Sequence, residues 1–126
     1  MRDHTRLRVF HLADQLAISV YANSRRFPPD ERYGLTSQTR RAAVSIAANI
    51  VEGCARSSES EYVRFLEIAY GSARELQYEI DLCTRLGYLD TAAAEDLDRQ
   101  STETAKSLNA LVRAMRRECG KAAQAG

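Results

Sequence analysis

Residues 58–86 read SESEYVRFLEIAYGSARELQYEIDLCTRL, and their spacing decides the fold class. Tyr62, Leu66, Ala69, Ala73, Leu76, Ile80 and Cys83 recur at alternating steps of three and four, a nearly strict heptad seam. Ser58 followed three residues later by Glu61 has the pattern of a capping box. Gly87 supplies the left-handed conformation in which helices commonly end. The spacing therefore predicts one long helix from Ser58 to about Leu86.

The flanking segments have the same period. Upstream, Leu35, Ala42, Ala43, Ile46 and Ile50 form a narrow, alanine-rich stripe, with Thr36 or Ser37 as the expected cap and a stop between Gly53 and Ser57. A first helix is predicted over about residues 5–25 from Leu7, Phe10, Ala13, Leu16, Ala17, Val20 and Tyr21. It ends at Phe27-Pro28-Pro29, since consecutive prolines cannot continue a helix. Downstream, Asp90 or Thr91 caps a fourth helix with its seam at Leu97, Ser101, Thr104, Leu108, Leu111 and Met115. Four amphipathic helices with short links imply an all-α fold, an antiparallel up-down-up-down four-helix bundle. One domain over 1–119 is expected, with a frayed tail over 120–126.

A chain of 126 residues, 44% hydrophobic and 28% charged, is large enough for a real core and too apolar to be disordered. No apolar run approaches the roughly 20 residues needed to span a bilayer. The start, MRDHTRLRVFHLADQ, is charged on both sides of its apolar residues and does not read as a signal peptide. A cytoplasmic protein without membrane contact is expected. Cys54, Cys83 and Cys119 show no CxxC or metal-ligand spacing, so free thiols are expected.

Net charge is only +1, but it is unevenly distributed. Residues 1–56 carry +4, residues 57–98 carry −7 and residues 99–126 carry +4. Sixteen of the eighteen basic residues are arginine, whose planar fork suits both phosphate and carboxylate. Arg25, Arg26, Arg40, Arg41 and Arg56, with Arg32, flank the second helix and are the candidate nucleic-acid contacts. Arg113, Arg116, Arg117 and Lys121 crowd the fourth helix, where cations also suit a helix C-terminus. Neither group is read as interleaved with stacking aromatics, which argues against a single-strand reader.

Enzyme chemistry finds little support. No glycine-rich phosphate loop, zinc-protease or serine-nucleophile motif is present. His4 and His11 lack a ligand set, so no metal or cofactor is expected. Glu75 and Glu79 lie one turn apart, but no Glu-x-x-His element accompanies them, and a solvated or interface face is expected there. Asn49 and Glu52 sit beside the apolar stripe of the second helix. With Gln38, Arg74 and Glu75 they are read as a structural polar network, with Arg41 or Arg74 as the partner of Glu52. Val44 and Val51 on the second helix, and Val63, Phe65, Ile68, Tyr70 and Leu82 on the third, give both helices apolar residues on more than one side. Self-association would cover them.

The stretch RYGLTSQTRRAAVSIAANIVEG (32–53), followed by the run from Ser58 to Ile80, resembles the small bacterial four-helix bundle proteins called 23S ribosomal RNA intervening sequence proteins. Gln38-x-x-Arg41-Ala42-Ala43 and Asn49-Ile50-x-Glu52-Gly53 carry the likeness. Leu7 to Phe10, Phe27-Pro28 and Leu86 to Leu89 extend it over the chain. Departures fall at Ala47-Ala48, at Val51 and at Phe10, where the pattern usually has tryptophan. The resemblance implies a homo-pentameric ring without enzymatic activity, and kinship with accessory proteins of diversity-generating retroelements. The positions it singles out are Gln38, Arg40, Arg41, Asn49, Glu52, Arg56, Arg64, Gly71, Ser72 and Glu75. The expected partners are further copies of the chain and RNA, DNA or a nucleic-acid-processing protein. The rival expectation is an adaptor that docks a basic protein on its acidic third helix.

Overall fold

The computed structural model describes residues 1–125 and is helical throughout, with no strand among them. The helices are α1 (Arg8–Ser24), α2 (Leu35–Cys54), α3 (Glu59–Arg85) and α4 (Thr91–Ala125). Each packs on its sequence neighbours, and α1 packs on α4 to close the four-helix bundle. No diagonal pair approaches closely among the described residues. α4 continues through Gly120 to Ala125, past the boundary at 119 expected from sequence. Gly126 lies outside the described residues.

Local chemistry explains most of the ends. The Ser58 hydroxyl accepts from the Glu61 N–H at 3.2 Å, while the Glu61 carboxylate turns to Arg64, so half of the capping box forms. At the other end of α3, Gly87 adopts φ +79°. The Tyr88 N–H then reaches the Cys83 carbonyl and the Gly87 N–H the Thr84 carbonyl, the paired bonds of a Schellman turn. Asp90 caps α4 by accepting from Ala93 N–H at 2.8 Å.

The expected cap of α2 needs correction. Neither Thr36 nor Ser37 caps it, because the helix already begins at Leu35. Glu31, in a single 3-10 turn at Pro29–Glu31, takes the role. Its Oε1 accepts from Leu35 N–H at 3.2 Å, and its Oε2 accepts from the Tyr88 hydroxyl at 2.7 Å. One carboxylate thus ties the α1–α2 link to the α3–α4 turn. An anion at the N-terminus of α2 also faces the positive end of the helix dipole.

Apolar seams fill the interior. Leu16, Ile46, Ile50, Tyr62, Leu66, Leu76 and Leu108 are fully buried, and the small Ala13, Ala43, Ala69 and Ala73 let the helices approach. Val9 joins the α1 face, while Tyr21, expected on it, is exposed. Buried Thr39 and Thr104 satisfy their hydroxyls on the carbonyls four residues back, so they add no unmet polar group. Val44, Val51 and Ile68 remain exposed on the outer face of α2 and α3, as their off-seam positions predict, whereas Val63 is buried.

The tightest approach joins α2 to α3. A Cβ built on Gly53 would lie 3.0 Å from the Phe65 Cβ and 3.3 Å from the Tyr62 carbonyl oxygen. The N-terminal segment straps the same end: Arg2 donates its N–H to the Cys54 carbonyl at 2.8 Å, stacks 3.8 Å over the Tyr62 ring and pairs with Glu59. By contrast, Gly71 is exposed in mid-helix with nothing near its missing Cβ. Two opposite outcomes are therefore expected in urea unfolding. Gly53→Ala should destabilise by about 1–2 kcal/mol despite the better helix propensity of alanine. Gly71→Ala should stabilise the single chain by about 0.5–1 kcal/mol.

Candidate functional site

The candidate arginines do not form one patch. The Arg40 Nε donates to the Ser24 hydroxyl at 2.8 Å, which brings it to the C-terminal end of α1 beside Arg25 and Arg26. Arg41, the next residue on the same helix, turns the other way into the groove between α2 and α3. Arg56 lies beyond the far end of α2, roughly 20 Å along its axis, paired with Glu52 and stacked 4.8 Å from the Phe65 ring centre. Arg26 has a long ion pair with Asp90 at 3.7 Å. Among the described residues no acid lies within ion-pair distance of Arg25, Arg32 or Arg40.

Aromatic rings do accompany these arginines, contrary to the expectation from sequence. The Arg40 guanidinium sits 4.7 Å from the centre of the Tyr21 ring, and that of Arg32 sits 5.2 Å from Tyr33. Tyr21 is 43% exposed and Tyr33 85% exposed. Tyr21 escapes a linear reading because it comes from a different helix, and its place on the apolar stripe of α1 disguised it as core.

The expected polar network is also rearranged. Glu52 pairs with Arg56, four residues further along the chain, and not with Arg41 or Arg74. Arg74 makes only a long contact of 3.5 Å with the Tyr70 hydroxyl. Asn49 donates to the Ser45 carbonyl at 2.8 Å and to its hydroxyl at 3.0 Å. That hydroxyl shares a 2.9 Å hydrogen bond with Ser72 on α3. Gln38, Arg41, Ala42, Ser45, Ser72 and Glu75 line the resulting groove. Four of these, Gln38, Arg41, Ser72 and Glu75, belong to the positions that the family resemblance singles out.

Glu79 departs from the solvated or interface face expected at the acidic pair of α3, because it is buried within the chain itself. Its side chain is only 3% exposed, and its Oε1 is buried without a hydrogen-bond partner. Burial, and then the charge and contact of Glu75, push its carboxyl up to about 7. A signal was present in the sequence. Glu79 is seven residues after Ser72 and adjoins the seam residue Ile80, so it faces α2 more than solvent. Burial likewise pushes the Cys83 thiol up to about 11. Among the described residues no three His, Cys, Asp or Glu side chains group as metal ligands. No helix among them is long and apolar enough to cross a membrane.

The raised Glu79 pKa has a defined sign. Between its ordinary pKa of 4.5 and about 7, the folded chain binds a proton that the unfolded chain has released. Stability should therefore fall as pH rises through that window, by about 1–3 kcal/mol from this group. Chemical denaturation of Glu79→Gln from pH 5 to pH 8 should show this slope removed and the variant more stable than wild type at pH 8.

Comparison with known proteins agrees with this architecture. No curated protein matches the chain. A crystal structure of a protein of unknown function from the S23 ribosomal protein family of Bacteroides thetaiotaomicron superposes with a TM-score of 0.77 at 25% identity. The match covers 82% of this chain and 97% of that one. The family model described as 23S rRNA-intervening sequence protein matches residues 5–110. With a match that takes in α1 to α3, the first part of α4 and the motif positions, the chain belongs to the 23S rRNA-intervening sequence protein family.

Proposed function

We propose that this chain is a non-enzymatic, homo-oligomeric bundle that associates with RNA or a ribonucleoprotein through the end where α1 meets α2. The observation that carries this reading is the set of Arg25, Arg32 and Arg40 without acid partners, two of them stacked on exposed Tyr21 and Tyr33. Elsewhere arginines are largely engaged, as in the pairs Arg2–Glu59, Arg8–Glu103, Arg64–Glu61 and Arg116–Glu67. Guanidinium groups without carboxylates suit phosphates, and tyrosine faces suit unpaired bases. Arg56, neutralised by Glu52, drops out of the contact set, and Arg41 belongs to the groove.

Self-association accompanies this reading. Exposed Val44, Val51, Ile68 and Tyr78 lie on the outer side of α2 and α3 and gain from cover by another copy. The family resemblance makes a pentamer the assembly to test, and light scattering should give a mass above that of one chain. Anisotropy titration with a structured RNA and a duplex DNA is the test of binding. Affinity should fall steeply between about 50 and 200 mM salt. The pair Arg25→Glu and Arg40→Glu should abolish RNA binding with the helical content unchanged. Absence of RNA binding at low salt, or binding indifferent to both salt and these substitutions, overturns the reading.

A further inference from the structure

The groove between α2 and α3 holds unmet chemistry of both signs. It has a volume of about 430 Å³ and is lined by Arg41 from α2 and Glu75 from α3, with Gln38, Ser45 and Ser72 between them. Among the described residues neither Arg41 nor Glu75 has an ion-pair partner within 4 Å. The Ser45–Ser72 hydrogen bond fixes the antiparallel register. Gln38, seven residues before Ser45, therefore stands level with Glu79, seven residues after Ser72. Glu79 lies on the stripe of α3 that carries Ser72 and Glu75, and its carboxyl meets that of Glu75.

A buried carboxyl oxygen without a donor is costly and calls for an explanation in terms of what satisfies it. Glu79 does not itself line the groove but meets Glu75, which does, so the occupant that suits the pair is a hydrogen-bond donor, best a cationic one, held at Glu75. The free guanidinium of Arg41 asks for the opposite charge on the same occupant. The groove between α1 and α4 makes a contrast, because its polar groups already satisfy one another: Gln100 bonds Ser19 and Asp96, and Arg99 pairs with Asp96.

We propose that the α2–α3 groove binds a small organic zwitterion of the amino-acid class, its ammonium taken by Glu75, with the Glu79 carboxyl behind it, and its carboxylate by Arg41. Ser45, Ser72 and the Gln38 amide supply neutral hydrogen bonds between the charges. The site lies on the face of α2 turned away from Arg40, so it stands independently of the RNA reading.

The test is an amide-resolved NMR titration of the full chain with glycine, γ-aminobutyrate and L-lysine, using putrescine and acetate as controls that carry charge of one sign only. At least one zwitterion at about 10 mM should shift amides of residues 38–45 and 72–79, with each control binding at least about tenfold more weakly. Arg41→Gln and Glu79→Gln should each weaken that zwitterion at least about tenfold, with unfolding curves showing both variants folded. Three outcomes overturn the proposal: no shift from any zwitterion, a control that binds as tightly, or affinity that survives both substitutions. A fourth is a measured coupling between Arg41→Gln and Glu75→Gln in the unliganded chain, since the two groups would then satisfy each other.

Discussion

The close approach of α2 and α3 is the constraint on which the rest of this bundle depends. At Gly53 the backbone of one helix lies against Tyr62 and Phe65 of the other, at a distance that leaves no room for a methyl group. Small residues continue the contact through Ala42 and Ala43 on α2 and Ala69 and Ala73 on α3. One shared hydrogen bond between serines then sets the register. With register and spacing fixed, the placement of charged side chains follows. Arg41 and Glu75 line one groove without an ion pair between them, and Glu79 is buried beside it. The Arg2 strap over Tyr62 closes the same hairpin from outside.

How much was legible from sequence followed the range of the interactions. Four helices, their seams, the Ser58 and Asp90 caps and the Gly87 stop depend on residues within a turn of each other, and periodicity finds them. The cap of α2 was missed because its acceptor, Glu31, lies outside the helix and is held by Tyr88 from across the bundle. The Arg40–Tyr21 stack was missed for the same reason, as it joins two helices. Glu79 was misread through its residue type: glutamate is rarely buried, and its helical position pointed the other way. Motif resemblance brought Gln38, Arg41, Ser72 and Glu75 to notice without saying that they share one groove.

The uneven charge along the chain is partly absorbed by its own fold. Arg2 and Arg26 from the basic front meet Glu59 and Asp90 of the acidic middle, and Arg116 from the basic end meets Glu67. These pairs are exposed, so each contributes little to stability. Their effect is on the outward field: they quench part of the surface charge and leave Arg25, Arg32 and Arg40 where α1 turns into α2, and Arg113, Arg117 and Lys121 towards the end of α4, without acid partners among the described residues. Near-neutral net charge is thus compatible with locally cationic ends.

Glu31 has a bearing on where this chain tolerates change. The link between α1 and α2 is the longest irregular segment, and length alone would mark it as the place for an inserted tag or a natural insertion. Yet its carboxylate is fastened at both ends, to the first turn of α2 and to a tyrosine on the opposite connection. Even a methyl group at Gly34 would collide with that carboxylate. The link therefore behaves as a brace between two loops and not as slack, so its length is a matched quantity. In the short exposed turn at 55–57 the one side-chain tether among the described residues is Arg56, which pairs with Glu52 of α2 and stacks on Phe65 of α3. Extra residues are more easily accommodated there, although it is the shorter of the two.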